Sequence, residues 1–255
     1  MLSSRQFLAV ISVVLVSMVS TSVFAAETDN RTTDDWYQWS LKGQPAGYFH
    51  AVRKASGEKE APVLLMHKFV VNWHGKRLSL LTVTRCRDDA WLTPVRIGSK
   101  GEGDDEFMTY TGGIAWPPDP DAPGKLTVDV AGDQLRRIKL DLPRKTVTDF
   151  ALFDIVRRLP FDKEKVFEFN CLEASELNLK KGHRLTYVGT EELELGGKKA
   201  LLHKFEHSTD GRIVSVYWVN EDRQLVRLVM DERKEFLLTT EQKAKAALEQ
   251  GAADR

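Results

Sequence analysis

Short runs of β-branched and apolar residues follow one another along the chain at turn-sized intervals. In the first half they are Trp36 to Leu41, Tyr48 to Lys54, Val63 to Trp73, Leu78 to Cys86, Trp91 to Ile97, Leu126 to Val130 and Gln134 to Leu140. In the second they are Val166 to Leu172, His183 to Val188, Lys199 to Glu206, Ile213 to Val219, Leu225 to Asp231 and Phe236 to Thr239. Runs of this length and spacing predict an antiparallel meander. His74-Gly75, Gly196-Gly197 and Asp210-Gly211 stand between paired runs, where tight hairpins need residues that tolerate positive φ. One helix interrupts the series over residues 148–159. Thr148 stands at its cap, Phe150, Phe153 and Ile155 or Val156 form an apolar stripe, and Pro160 stops it after Arg157-Arg158. A second helix is predicted from Thr240 to Glu249, rich in alanine and charge. It reads as part of a solvated tail over residues 240–255.

The segment Gly98 to Lys125 is the least regular. It holds Asp104-Asp105-Glu106 and a proline-rich stretch from Trp116 to Gly124. The acids lack the alternating ligand positions of a calcium loop, so the segment reads as a solvated, stiffened loop that borders any mouth of the sheet.

Sliding the chain against itself uncovers a weak internal repeat. His67-Lys68-Phe69 recurs as His203-Lys204-Phe205, and at the same offset Leu65 matches Leu201, Gly75 matches Gly211, Ser79 matches Ser215 and Val83 matches Val219. Two readings stand open, true duplication or hairpins alike by chance. Either way the pattern describes two meanders joined across the helix at 148–159.

The first residues change the picture of where the chain works. A start with one positive charge at Arg5 is followed by an apolar run from Phe7 to Val19 and a small-residue exit, Val23-Phe24-Ala25-Ala26. That order is a secretory signal peptide over residues 1–25, with cleavage after Ala25. Ala26 stands where a lipid-anchored product needs cysteine. The expected product is exported, periplasmic or extracellular, free of lipid, and without an integral span after cleavage. The rest, residues 26–239, is of a size to form a single β-rich domain.

Charge excludes some partners. Removing residues 1–25 takes away Arg5 and no acid, leaving Lys+Arg at 36 against Asp+Glu at 37. A balanced chain carries no electrostatic footprint for nucleic acid, and none for an anionic membrane surface.

Candidate chemistry is sparse. His203 and His207, four apart, would share a metal on a helix, but on a strand they stand about 13 Å apart and cannot chelate one ion alone. His67 and His74 are an odd number apart and face opposite ways on a strand. Cys86 and Cys171 form a candidate disulfide in an oxidising compartment, or else two buried thiols. Paired with His183 or His203 they sketch a thiol nucleophile, but no local signature supports it. No Gly-x-Ser-x-Gly elbow or phosphate-binding loop is present. Trp73, Trp91, Trp116 and Trp218 are the candidate ligand-binding residues, as rings that could line a cleft. Tyr217 and Trp218, adjacent on a strand, must face opposite ways, so only one is inside. No metal site and no cofactor is expected.

From Asp149 onward the chain shows a helix ending Arg158-Leu159-Pro160, two strands, a Gly-Gly turn, then Val216-Tyr217-Trp218-Val219 leading into Gln224-Leu225-Val226-Arg227. This order resembles exported bacterial β proteins of uncharacterised function grouped with the lipoprotein carriers LolA and LolB. The resemblance implies an unclosed β barrel, a curved antiparallel sheet covered by helices, whose concave face holds acyl chains in the carriers. The expected fold is therefore mainly β, LolA-like, with one central covering helix and a C-terminal helix. The expected function is that of a soluble binding or scaffold protein of the cell envelope, its partner a lipid, a glycan or an envelope protein. The alternative is an envelope hydrolase or transferase whose residues meet only in the fold.

Overall fold

A computed structural model describes residues 32–73, 76–103, 109–131, 136–162, 165–231 and 233–253. The expected signal peptide over residues 1–25, the expected turn at His74-Gly75, and Asp104-Asp105-Glu106 lie outside the described residues.

The strands are β1 (Thr33–Leu41), β2 (Gln44–Ala55), β3 (Val63–Trp73), β4 (Lys76–Cys86), β5 (Pro94–Glu102), β6 (Tyr110–Ala115), β7 (Gly124–Val130) and β8 (Arg136–Leu142). Then come β9 (Thr146–Thr148), a 3-10 turn (Asp149–Ala151), helix α1 (Leu152–Arg158) and β10 (Val166–Glu173). The chain continues with β11 (Asn178–Leu195), β12 (Lys198–Thr209), β13 (Arg212–Val219), β14 (Leu225–Met230), β15 (Lys234–Thr239) and helix α2 (Glu241–Ala253). All strands join one sheet of order β8-β7-β6-β5-β4-β3-β2-β1-β15-β14-β13-β12-β11-β10-β9. From β1 to β8 and from β10 to β15 each strand pairs antiparallel with its chain neighbour, the short β9 pairs parallel with β10 across α1, and β1 pairs antiparallel with β15 to join the two meanders. The result is a nearly closed, barrel-like sheet with one unsealed seam, between β8 and β9.

Period-two alternation gives each strand one buried face. In β4 every second residue from Leu78 to Cys86 is buried. Tyr37 and Phe49 point into the barrel, whereas Trp36 and Tyr48 point out. Helix α1 is buried on all sides from Leu152 to Val156, as a helix must be when it fills a barrel rather than lies on it. Phe153 packs on Phe49 with ring centroids 4.4 Å apart, and edge-on to Phe236 at 5.5 Å and Tyr37 at 5.4 Å. Strands from both meanders thus share one core around α1.

Two buried ion pairs fix the helix end. Arg157 donates to Asp35 at 2.7 Å, and Arg158 donates to Asp88 at 2.6 Å and to the Asp89 carbonyl at 2.9 Å. Removing one partner of such a pair strands a charge in low dielectric and costs about 3–5 kcal/mol.

At the seam, side chains close what backbone pairing leaves open. Leu172, Leu177 and Leu179 pack against Ile97, Tyr110 and Leu126 from the opposite side, and the Tyr110 hydroxyl donates to the Ala174 carbonyl.

The structure corrects several expectations. The irregular stretch Gly98 to Lys125 contains the end of β5 and all of β6. β6 is interrupted by Gly112, where a Cβ would meet the Thr127 carbonyl and Val128 at 2.8 Å, so close strand approach removed the apolar residue that would have marked it. Thr148 makes no capping hydrogen bond with its side chain. The C-terminal helix is no solvated tail: Ala244 and Leu248 bury against Tyr48 and Val70 on the outer face of the sheet, and Asn72 donates to the Leu248 carbonyl at 2.6 Å.

Gly196-Gly197 and Asp210-Gly211 are tight turns with positive φ at both central residues, 58° and 79°, then 50° and 72°. The two matched stretches both occupy antiparallel hairpins, β3–β4 and β12–β13.

Candidate functional site

The second meander carries a cluster of mutually hydrogen-bonded polar side chains on its inner face. In β10 and β11, Phe169 stands directly opposite His183, and the rings stack with centroids 5.4 Å apart. In β11 and β12, His207 stands opposite Leu185, so His183 is its diagonal neighbour on the same face. Diagonal side chains across a sheet are within reach when they are long, and His183 Nδ1 meets His207 Nε2 at 2.8 Å. In β13, Ser215 stands opposite His207, and its Oγ is 3.0 Å from His207 Nδ1. The three form a buried relay, Ser215–His207–His183.

The relay ends at a recess of about 500 Å³ whose lining includes His183 and Phe169. Lys145, Glu168, Asn170, Arg184 and Asp210 supply charge and amide groups around it, and Gly182 and Gly211 form part of its wall. Both signs of charge are present. Glu168 and Arg184 pair at 2.8 Å, each about 60 % exposed, so they respond readily to an incoming group.

Burial sets the protonation of the relay. It is the main cause pushing His207 down to about 4, with His183 adding to it. Burial also lowers His183, with Lys180 adding. Near neutral pH both rings are therefore uncharged, and one must donate to the other. If His183 Nδ1–H donates, His207 Nδ1–H donates on to Ser215; if His207 Nε2–H donates, Ser215 O–H donates to His207. A concerted shift between these tautomers changes His183 Nε2 from acceptor to donor. That nitrogen is buried without a hydrogen-bond partner.

The relay lacks an accessible nucleophile. Ser215 is buried at the end away from the recess lining. Cys86 and Cys171, the candidate disulfide, are both free and buried. They lie in β4 and β10, strands that are not neighbours in the sheet. Burial, ahead of nearby carboxylates, pushes both thiols well up, and a thiol held protonated is inert as a nucleophile.

The other histidines are placed singly. His203 and His207 share the inner face of β12 but reach different partners. His203 Nδ1 meets the Tyr187 hydroxyl at 2.9 Å and its Nε2 meets Glu221 at 3.0 Å, while Phe161 stacks on the ring at 3.4 Å. His67 stacks on Phe49 at 5.5 Å and lies 3.5 Å from Asp154 of α1. Asp149, ahead of α1, is raised to about 6 chiefly by burial, although the Ala174 and Phe150 amides donate to it. Among the described residues no three metal-binding side chains come together.

The candidate tryptophans are given separate neighbours. Trp91 packs on Phe167 and Phe169 at 6.3 Å each, which puts it next to the ring that lines the recess. Trp116 donates to the Pro94 carbonyl at 2.7 Å beneath Arg144. Trp218 faces outward while Tyr217 is in the core, and donates to Glu191 at 3.1 Å between Lys204 and Arg227. Trp73 ends β3, opposite Lys76.

The relay was not visible in the sequence for a definite reason. Counting back from the Asp210-Gly211 turn puts Val214 opposite His207; a β-bulge between His207 and Ser208 brings Ser215 there instead. The usable signal was the odd-even match of His183, His207 and Phe169 once strands are paired. No protein-family model, curated protein or solved structure matches the chain.

Proposed function

We propose that the protein is an exported, non-catalytic binding protein of the cell envelope, and that its ligand is a short glycan segment held in the recess beside His183. The carrying observation is the lining: opposite charges, an amide and a stacked ring pair at one place, the mix that a polyhydroxylated ligand pairs with through hydrogen bonds and an apolar ring face. Export rests on residues 1–25, and the envelope setting on the resemblance to the LolA and LolB group.

An acyl chain on the concave sheet is the poorer reading. The inner faces of β2, β3, β12 and β15 are buried against α1 and one another, and displacing α1 would strand Arg157 and Arg158 from Asp35 and Asp88. Hydrolysis is poorer too, because the thiols are held protonated and Ser215 is buried.

The test is calorimetric titration with soluble cell-wall glycan fragments. Saturable binding is expected, weakened about tenfold, or ~1.4 kcal/mol, by Arg184→Ala. Absence of binding, together with phospholipid retained in native mass spectra of protein purified from its own envelope, would favour the acyl-chain reading.

A further inference from the structure

The hairpin of β11 and β12 outruns the sheet that carries it. β10 pairs with β11 only as far as Thr186, and β13 pairs with β12 only from His203. β11 and β12 nevertheless continue pairing beyond both, from Glu191–Leu202 to Leu195–Lys198. Among the described residues no third strand flanks this arm. A two-stranded ribbon in water is marginal by itself, and its free edges invite pairing with another chain.

The two edges differ. The β11 edge carries Glu191, Glu192 and Glu194, charges of the kind that protect an edge. The β12 edge reads Lys198-Lys199-Ala200-Leu201-Leu202, and Lys199 is drawn back across the ribbon to Glu192 at 2.7 Å. Leu201 beside it is 60 % exposed, the most exposed of the large apolar side chains described.

We infer that the arm is a self-association surface whose occupant is the β12 edge of a second copy of this chain, paired antiparallel about a two-fold axis at Ala200. That register sets Lys198 opposite Leu202 and Lys199 opposite Leu201, so no like charges face each other. Pairing β11 with β11 about Leu193 sets Glu192 against Glu194, which is repulsive. Pairing β11 with β12 is heterologous and does not close into a dimer by itself. The β12 pairing closes, turns two ribbons into one four-stranded sheet, and covers Leu201 with the lysine stem of the partner. It is independent of what the recess binds.

Sedimentation of the full mature chain from low to high micromolar concentration should show a monomer–dimer equilibrium. Leu201→Lys should raise its dissociation constant at least about tenfold, because it places four lysines on one face at the axis, while circular dichroism stays that of the wild type. Ala200→Cys should form a disulfide-linked dimer under mild oxidation, since facing residues at the axis have Cα atoms about 4.5–5.5 Å apart; Glu194→Cys should not, and the native thiols are buried. A wild type that is monomeric throughout, or cross-linking that is equal at the two positions, overturns the inference.

Discussion

The same tripeptide, His-Lys-Phe, occupies the inner side of two hairpins in opposite halves of the sheet, and the two histidines lead different lives. His67 on β3 is sealed under α1, 1 % exposed, with Asp154 at 3.5 Å and no hydrogen bond of ordinary length from either ring nitrogen. His203 on β12 is wired at both ends, to buried Tyr187 and exposed Glu221. The hairpins share their register near the turn and separate at one bulge, between His207 and Ser208. The first copy is thus a surface for the central helix. The second, which the helix does not seal in the same way, carries the relay and the recess. Local sequence sets the strand; what packs over it decides whether a histidine is a filler or part of a polar network.

His67→Ala removes a ring stacked on Phe49 and leaves Asp154 facing a cavity, and should cost about 3–4 kcal/mol in urea unfolding. His203→Ala strands the buried Tyr187 hydroxyl and unstacks Phe161, but its other partner Glu221 already meets solvent, so it should cost less, about 2 kcal/mol. Equal losses would mean that the cover of α1 does not set the two histidines apart.

His207 has a folded pKa depressed from 6.5 to about 4, so the unfolded chain takes up a proton that the fold refuses, and stability is lost as pH falls through that window. Asp149 has a folded pKa raised from 3.8 to about 6. Its contribution runs the other way, present at low pH and lost as pH rises through about 6. Each amounts to roughly 3 kcal/mol, and across acidic pH the two offset each other. Asp149→Asn should therefore be more stable than the wild type by about 3 kcal/mol near pH 7. That difference should shrink close to zero near pH 4, as read by thermal or urea unfolding at each pH. A difference that is constant with pH would contradict the assignment.

Smaller effects belong to the outer face and the rim. Trp218→Phe loses the bond to Glu191 and part of its stacking between Lys204 and Arg227, for about 1 kcal/mol. Arg184→Ala breaks an exposed pair and should change stability by less than about 0.5 kcal/mol, so that its effect on glycan titration reports the recess alone.

Much of the fold was legible because its signals are local. The turns at Gly196-Gly197 and Asp210-Gly211 carry their own φ requirement, and Phe150, Phe153 and Ile155 announced the helix by spacing. Ala244 and Leu248, four apart, marked a helix face that the surrounding charges disguised as solvated. β6 was hidden by Gly112, which close approach to β7 demands. The site was hidden more deeply. His183, His207 and Ser215 are brought together by strand order and by a one-residue bulge, and neither is written in the spacing of those residues. The tryptophans drew attention by size, yet Trp116 and Trp218 meet partners outside the recess lining, while Trp91 packs on Phe169 of the recess.

On the proposed function, a ligand sits in the recess and leaves the filled barrel undisturbed. Hydrogen–deuterium exchange with and without saturating cell-wall glycan fragments tests it most directly. Binding in the recess should add protection at residues 168–170, 182–184 and 208–211 and leave the amides of Leu152–Arg158 unchanged. Unchanged exchange around the recess, with altered protection along the central helix, would contradict it and put the ligand on the concave sheet.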